Sequence, residues 1–362
     1  MNETFELLFL VSIEKLTGKK LYDLLEHFGG AAGVIAASRA QISTVAGTEI
    51  AAAISAFKVN DVLRRKNELI QERAIQIITY YSTDYPAWLK KIDHFPPVVF
   101  VWGSIVPEDE ISIAVIGTRG ATVYGKAIAR DFAGEFAQAG ATVISGMARG
   151  IDTEAHLGAL QKNGRTIAIL GCGIDICYPP ENKKLMAEIT RHGAVISEFN
   201  LGTPPLAQNF PKRNRIVSGM AKAVVAIEAK EKSGVMNTVK WALEQNKDVF
   251  AVPGNIYSKT SYGTNRLIKD GAIPVTSAAE VLEYLGMQYT RREKATREIL
   301  LDETERTIWE ALSFEPIYLD TLAEKVSQPT SIILNVLLQL EIKGYVKQLP
   351  GMAFVKNFGK AD

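Results

Sequence analysis

Residues 113–153 read IAVIGTRGATVYGKAIARDFAGEFAQAGATVISGMARGIDT, and their pattern indicates the class of fold. It begins with a short apolar, β-branched run at 113–116, passes through an amphipathic segment at 126–138 and returns to an apolar run at 142–144. A short apolar run is typical of a buried strand, whereas a longer amphipathic segment predicts a helix. The stretch therefore predicts a strand, a helix and a second strand, with a glycine-bearing loop after each strand.

The same alternation extends over the middle of the chain. Short apolar runs predict nine buried strands, at residues 75–79, 98–102, 113–116, 142–144, 166–170, 194–197, 223–227, 249–252 and 273–275. Amphipathic segments separate most of them, for example at 126–138, 153–161, 180–191 and 234–245. Near-continuous apolar strands that alternate with helices predict an α/β fold, in which a doubly wound, mostly parallel sheet is covered on both faces.

The two ends of the chain have a different character. Residues 1–72 predict short helices that are separated by glycines, and residues 73–286 hold the predicted sheet. A polar, charged linker follows at 287–297, and residues 298–362 predict three helices and a strand pair, which together indicate a winged-helix domain. The glycine-separated helices of 1–72 fit either a helix-hairpin-helix module, which offers backbone N–H groups to a phosphate, or a small helical docking domain.

The third helix of the predicted winged helix is unusually apolar. Residues 330–343 carry Asn335 and Gln339 as their only amide side chains, beside many leucines and isoleucines. A helix that reads a DNA groove exposes several Arg, Lys, Asn or Gln side chains. We therefore expect this domain to make protein contacts or to act in autoregulation.

The composition excludes several classes of protein. The chain has 362 residues, 41 Lys and Arg against 40 Asp and Glu, a net charge of +1, and 47% hydrophobic residues. It is too apolar for a disordered protein and too neutral to coat nucleic acid with its whole surface, but net neutrality is compatible with a local basic site. Only two cysteines, Cys172 and Cys177, favour a reducing, cytoplasmic location. The first residues predict a helix rather than a signal peptide, and no apolar run is long enough for a membrane span.

The loops that follow the strands are richer in glycine and polar residues than the turns that precede them. Gly117, Thr118 and Arg119 follow one strand, and Ser145, Gly146 and Gly150 follow the next. The carboxyl ends of parallel strands meet at one edge of a sheet, where open α/β sheets bind ligands. Glycines let the backbone approach an anion, and an arginine can fork onto phosphate oxygens. These loops therefore predict a phosphate-binding edge with Arg119 at its centre.

This edge carries none of the common nucleotide signatures. The spacing G-x-G-x-x-G of dinucleotide-binding proteins is missing, and so is the G-x-x-x-x-G-K-[ST] loop of nucleoside triphosphatases. We predict no cofactor.

A second cluster lies at residues 209–219, NFPKRNRIVSG. Here Phe210 precedes Lys212, Arg213, Asn214 and Arg215, at the start of a predicted helix. Cations at a helix start oppose the helix dipole, so helix stability does not account for them. An aromatic ring that stacks a base and charges that follow the backbone are what a single-stranded nucleic acid requires.

Other chemistry-bearing residues give weaker signals. Cys172 and Cys177 have no second pair of cysteines or histidines at metal-ligand spacing, and we predict no metal site. Asp152 fits the N-cap of a helix. Asp152 and Glu198 both follow strands and could act as an acid–base pair in an enzyme, but no catalytic motif surrounds them, and we predict no catalytic residue.

Five ordered motifs resemble those of the DprA/Smf family of bacterial DNA-processing proteins. They are Ile116-Gly117-Thr118-Arg119, Ser145 to Asp152, Tyr178-Pro179-Pro180-Glu181-Asn182, Phe210 to Gly219 and Val252-Pro253-Gly254. Residues 85–103 also resemble the family, and with the flanking modules the resemblance covers nearly the whole chain. The glycine-rich stretch usual in the second motif is replaced here by Ser145-Gly146-Met147-Ala148.

The resemblance implies an extended Rossmann-like fold and a homodimer. The implied function is to bind single-stranded DNA without base specificity, protect it and load the RecA recombinase during natural transformation. Carried over to this chain, Arg119 in the Gly117-Thr118-Arg119 loop would grip a phosphate. The residues expected to line the DNA groove or to approach it with their backbone are Phe210, Lys212, Arg213, Asn214, Arg215, Ser145, Gly146, Gly150, Ser233 and Gly234.

A second hypothesis is a nucleotide-processing enzyme on a related sheet, similar to the nucleoside-monophosphate phosphoribohydrolases. Those enzymes also place glycine-rich phosphate loops at one sheet edge, but their P-G-G-x-G-T motif is missing from this chain. Release of a free base from a nucleoside monophosphate would distinguish this hypothesis from DNA binding.

Overall fold

A nine-stranded sheet forms the centre of the computed structural model, which describes residues 3–13, 15–287 and 301–357. Its strands are β1 (Gln76–Thr79), β2 (Val98–Gly103), β3 (Ser112–Ile116), β4 (Thr142–Ser145), β5 (Thr166–Ile169), β6 (Ala194–Ser197), β7 (Ala223–Ala226), β8 (Asp248–Ala251) and β9 (Ile273–Pro274). The spatial order is β1-β2-β6-β5-β4-β3-β7-β8-β9. All nine strands predicted from the apolar runs are present, within one or two residues at each end.

The sheet is mostly parallel, as the sequence predicts. Seven neighbouring strands pair in parallel, in the order β6-β5-β4-β3-β7-β8-β9. Strand β2 pairs antiparallel with both β1 and β6. The order reverses direction at β3, which lies between β4 and β7. A crevice therefore opens at the carboxyl end of β3, because the two neighbouring connections leave on opposite sides of the sheet.

Helices cover both faces of the sheet. They are α7 (Val123–Gln138), α8 (Ile151–Gln161), α9 (Lys183–His192), α10 (Asn209–Met220), α11 (Gly234–Glu244), α12 (Tyr262–Lys269) and α13 (Ala278–Tyr284). Alternate residues of β3 point to opposite faces: Ala114 packs with α10 and α11, and Val115 packs with α7 and α8. The predicted doubly wound α/β class is confirmed.

Six helices precede the sheet: α1 (Thr4–Leu10), α2 (Gly18–Phe28), α3 (Ala31–Ala36), α4 (Arg39–Ala46), α5 (Thr48–Ser55) and α6 (Asp61–Glu72). The first five bury an apolar cluster that includes Leu10, Leu24, Val34 and Ile54. Val98 of β2 belongs to the same cluster, so these helices pack against the β1–β2 side of the sheet.

The C-terminal part folds as a winged helix. It consists of α14 (Glu303–Ala311), β10 (Ile317–Tyr318), α15 (Leu319–Val326), α16 (Thr330–Ile342), β11 (Val346–Leu349) and β12 (Ala353–Lys356). Strand β12 lies between β10 and β11, and both pairings are antiparallel. The predicted linker at 287–297 lies outside the described residues except for Met287. Within the described ranges, the helices are all too short or too polar to span a bilayer.

Candidate nucleic-acid interface

A cleft of about 540 Å³ opens at the carboxyl edge of the sheet, where the strand order reverses. Its walls are the loops after β3, β4 and β7 and the first turns of α10 and α11. Thr118 donates its backbone N–H to the carbonyl of Glu228 over 2.8 Å, which ties the loop after β3 to the loop after β7. The predicted convergence of strand-end loops is therefore present in the structure.

Arg119 lies at the rim of this cleft. Its backbone follows Gly117, where a Cβ atom would lie 2.3 Å from Cγ1 of Ile151, so the loop closes tightly onto the start of α8. The side chain is exposed, and its guanidinium carbon lies 5.1 Å from the ring centroid of Phe210. This distance is typical of a cation–π contact. The cation and the ring form one surface, with the polar edge of the guanidinium still available to a ligand.

The ring of Phe210 is supported by the protein backbone and by a second aromatic ring. A Cβ atom at Gly171 would lie 2.8 Å from Cδ1 of the ring, so the ring rests directly on the backbone after β5. Tyr178 packs against it with 5.6 Å between ring centroids. The ring is half-buried. A supported, partly exposed aromatic ring beside a cation has the geometry that stacks a nucleobase.

Arg213 forms the floor of the cleft and is only 4% exposed. Its Nη1 donates to the carbonyl of Gly146 over 2.6 Å and also to the carbonyl of Ile169. Two strand-end carbonyls thus fix the guanidinium in place. The role of this cation is to join the loops after β4 and β5 and to make the floor positive.

Asp152 lies beside Arg213 and is also buried. Burial raises the pKa of the Asp152 carboxyl, and the positive charge of Arg213 opposes that shift. A Cβ atom at Gly146 would lie 2.6 Å from Nη2 of Arg213 and 2.7 Å from Oδ2 of Asp152. Glycine is therefore required between the two charges, because any side chain would separate them.

The start of α11 closes the other side of the cleft. Ser233 caps the helix, accepting a hydrogen bond from the backbone of Val235 over 3.3 Å. Asn214 donates to the carbonyl of Gly234 over 3.4 Å and to Oδ1 of Asn237 over 3.3 Å, which ties α10 to α11. The positive end of the α11 dipole faces the cleft, and this arrangement favours an anion.

Nine of the residues singled out from the sequence line this cleft. They are Gly117, Thr118, Arg119, Gly146, Phe210, Arg213, Asn214, Ser233 and Gly234. The other four, Ser145, Gly150, Lys212 and Arg215, lie outside it.

Lys212 and Arg215 face away because of the helical repeat of α10. Phe210, Arg213 and Asn214 are spaced three and four residues apart and share the face toward the cleft. Arg215 points instead to Glu198, with two hydrogen bonds of 2.6 Å, and its side chain is 13% exposed. Lys212 is exposed to solvent. Both cations therefore lie outside the cleft, and their contact with a strand stays a prediction.

Ser145 and Gly150 shape the cleft from outside. The hydroxyl of Ser145 is buried and donates to the carbonyl of Val115 over 2.7 Å, so it holds β4 to β3. Gly150 has φ +79°, and a Cβ atom there would lie 2.4 Å from the carbonyl oxygen of Thr118. Both residues make contacts within the protein, and their approach to a ligand stays a prediction.

Gly150 leads to a stability prediction. We expect Gly150→Ala to lower the free energy of unfolding by more than Gly140→Ala, measured by urea denaturation. Gly140 has φ +86° with no atom within 4 Å of its added Cβ, so its substitution costs only backbone strain, about 1–3 kcal/mol. Gly150→Ala adds a clash with the Thr118 carbonyl. Equal losses in the two variants would contradict the close approach of the loops after β3 and β4.

The cleft is also lined by two lysines, Lys230 and Lys232, that were not among the predicted site residues. Lys230 and Lys232 are exposed and belong to the loop after β7. Their position after a predicted strand, on the same edge as Arg119, was the signal that could have identified them. Together with Arg119 and Arg213 they give the cleft four cations against the single carboxylate of Asp152.

The structure separates the two carboxylates considered as an acid–base pair. Asp152 lines the cleft, whereas Glu198 is paired with Arg215 and does not line it. In the described ranges no group of three His, Cys, Asp or Glu residues could hold a metal ion. Cys172 is buried, and burial raises the pKa of its thiol to about 12, so it is not a reactive thiolate at neutral pH.

Comparison with known proteins gives consistent matches over the sheet and the winged helix. The model of the family "DNA recombination-mediator protein A" matches residues 76–286, and that of the "DprA winged helix domain" matches residues 292–352. Protein Smf of Escherichia coli is 38% identical over 75% of this chain and 74% of its own length. DNA processing protein DprA of Bacillus subtilis is 37% identical over 61% of this chain and 75% of its own length.

Solved structures agree with these matches. The crystal structure of DNA processing protein A from Streptococcus pneumoniae has a TM-score of 0.68 and 31% identity, and covers 79% of this chain and 99% of that one. DNA processing protein A from Helicobacter pylori, whose structure is described in terms of its single-stranded DNA binding mode, has a TM-score of 0.54 and 30% identity. That match covers 59% of this chain and 98% of the other. The family model matches the residues that form the sheet, and the cleft lies where the strand order of that sheet reverses. This chain therefore belongs to the DprA family of DNA processing proteins.

Proposed function

We propose that this protein binds single-stranded DNA without base specificity in the cleft at the carboxyl edge of its sheet. The observation that carries the proposal is the contact between Arg119 and Phe210, which sets a cation beside a supported aromatic ring. A guanidinium can bind a phosphate while the ring stacks the adjacent base. The Helicobacter pylori relative, a protein with a described single-stranded DNA binding mode, supports the same ligand for this chain.

The geometry favours a single strand over a duplex. In a duplex the bases are stacked on one another, and their faces cannot reach Phe210 without unpairing. Gly117, Gly234 and the side chains around them can contact the phosphate backbone of a strand and the faces of its bases. Every nucleotide has these features, whatever its base. We therefore expect recognition of the phosphate backbone and of base faces, with little dependence on sequence.

Filter binding with single- and double-stranded oligonucleotides of the same sequence, at two salt concentrations, tests this proposal. We expect tighter binding of the single strand, and a log K that falls with log salt by about 0.7 for each phosphate neutralised. Equal affinity for the duplex, or binding that does not respond to salt, would overturn it.

Phe210→Ala is expected to weaken the binding of oligo-dT by about 1–3 kcal/mol, because a stacked base loses its platform. The slope of log K against log salt should stay the same, since no charge is removed. Phe210→Tyr keeps the ring and serves as the matched control. A Phe210→Ala variant that is folded and binds as tightly as the parent would show that the ring does not stack a base.

We further propose that the protein is not an enzyme, that it acts as a homodimer in the cytoplasm, and that it protects incoming DNA and loads RecA recombinase during natural transformation. The family description, a DNA recombination mediator, supports a role in passing a strand to a recombinase. The rate of RecA filament formation on single-stranded DNA should rise when the protein is added. An unchanged or lower rate of filament formation would contradict the RecA-loading role but not the binding of single-stranded DNA.

A further inference from the structure

One buried carboxylate, that of Glu228 at the end of β7, organises the region beside the cleft. Glu228 is 3% exposed. It accepts hydrogen bonds from the backbone and the hydroxyl of Thr122, over 2.9 and 2.7 Å, and from the hydroxyl of Thr260 over 3.1 Å. It therefore holds both the start of α7 and the loop that precedes α12 against the end of β7.

The backbone joins the same segments a second time. Ala229 donates to the carbonyl of Thr260 over 2.8 Å, and Gly263 donates to the carbonyl of Ala229 over 2.7 Å. A Cβ atom at Gly263 would lie 2.9 Å from the carbonyl oxygen of Lys230. The first turn of α12 thus lies directly on the loop that carries Lys230 and Lys232.

Each segment anchored in this way presents an exposed tyrosine. Tyr124, in the first turn of α7, is 38% exposed, and Tyr262, at the start of α12, is 46% exposed. Tyr257 is 89% exposed at the tip of the loop between β8 and α12. That tip is an ordered turn, because Asn255 accepts a hydrogen bond from the backbone of Tyr257 over 2.9 Å. Three aromatic rings exposed around one anchoring carboxylate are not accounted for by packing.

Positive charge connects these rings to the cleft. A Cβ atom at Gly120 would lie 3.9 Å from Nζ of Lys230, which places this ammonium group beside the Arg119 loop. Lys230 and Lys232 line the cleft, and Lys259 is exposed two residues after Tyr257 in the sequence. The cations therefore continue from Arg119 toward the tyrosine-bearing loops.

We propose that Tyr124, Tyr257 and Tyr262 form an extension of the single-stranded DNA site, on which further bases stack after the strand leaves the Arg119–Phe210 subsite. Lys230 and Lys232 bind the phosphates between the two subsites. The inference rests on the proposed function, since it describes where the rest of the same strand lies. Exposed rings and ammonium groups on the loops beside an anion-binding cleft are the groups that bind the base faces and the backbone of a single strand.

The test compares oligo-dT of two lengths, about 5 and about 20 nucleotides, with the double variant Tyr257→Leu/Tyr262→Leu. We expect the longer oligonucleotide to lose roughly fivefold or more in affinity and the shorter one to be unaffected, because only the longer strand reaches the extension. Tyr257→Phe/Tyr262→Phe should bind both lengths as the parent does, because the rings remain.

The matched control is Tyr81→Leu. Tyr81 is also 46% exposed but follows β1, six strand positions and about 29 Å from β7 across the sheet. It should leave both affinities unchanged.

Two outcomes overturn the extension while leaving the proposed function in place: an unchanged affinity for the longer oligonucleotide, or an equal loss at both lengths. A change in sedimentation of the double variant without DNA would also overturn it, by assigning the tyrosines to contacts between copies of the chain. If the parent protein binds neither oligonucleotide, the proposed function itself fails.

Discussion

Arg119→Ala is expected to weaken single-stranded DNA binding about 10- to 100-fold, to the same extent for every base sequence. The variant loses a charge-assisted bond to phosphate and also the cation that lies 5.1 Å from the Phe210 ring. Removal of one phosphate contact should reduce the slope of log K against log salt by about 0.7. Both quantities come from one titration of oligonucleotides at a series of salt concentrations.

The control for this variant is Arg149→Ala. Arg149 is exposed in the loop after β4, at the same sheet edge, but it pairs with Glu181 and does not line the cleft. We expect its removal to change neither affinity nor slope appreciably. Arg119→Lys separates charge from shape, because lysine keeps the positive charge and loses the planar fork. If Arg149→Ala weakens binding as much as Arg119→Ala, the effect is a general loss of surface charge and Arg119 has no special role.

Arg213→Ala is expected to lower the free energy of unfolding by roughly 3–5 kcal/mol, because two buried carbonyls lose their charged donor and a buried carboxyl loses a neighbouring positive charge. Arg213 is 4% exposed and supplies the hydrogen bonds to the carbonyls of Gly146 and Ile169. Its loss leaves these carbonyls unpaired and leaves the Asp152 carboxylate without the nearby positive charge. Urea denaturation measures the change.

The loss should depend on pH in a defined direction. Burial already raises the pKa of Asp152 above its ordinary value, and without Arg213 the pKa should rise further. A group whose pKa is higher in the folded state contributes stability at low pH, and this contribution is lost as the pH rises through the folded pKa. The difference between parent and Arg213→Ala should therefore shrink in acid, where Asp152 is protonated in both proteins. The added substitution Asp152→Asn should recover part of the loss at neutral pH.

Lys212→Ala is the matched control for stability. Lys212 precedes Arg213 on α10 but is exposed, so its removal should change the free energy of unfolding by no more than about 0.5 kcal/mol. If Lys212→Ala destabilises as much as Arg213→Ala, the loss belongs to α10 as a whole and not to the hydrogen bonds of the buried guanidinium.

The fold could be predicted from the sequence because the central strands of the large sheet are buried on both faces. Runs such as the one that became β3 are apolar at every position, and the amphipathic segments between them have the helical period, so both kinds of element stand out without any tertiary information. The edge that holds the site followed from the same pattern, since parallel strands end together.

The direction of the side chains on α10 could not be predicted as well. Three cations lie within four residues, and composition alone cannot say which of them faces the cleft. The helical repeat does carry a signal: Asn209, Arg213, Ile216 and Met220 share the buried face, so Arg213 belongs with apolar residues. The pairing of Arg215 with Glu198 joins α10 to the end of β6, a contact that depends on the tertiary fold. Contacts made by distant loops leave no local pattern in the sequence.

A crystal structure of the full chain with a short oligo-dT would show where the strand binds. It should show a phosphate within hydrogen-bond distance of the Arg119 guanidinium and a thymine stacked on Phe210, in the cleft where the strand order reverses. A strand bound elsewhere, for example on the winged helix, with no nucleotide in this cleft, would show that the cleft is not the binding site.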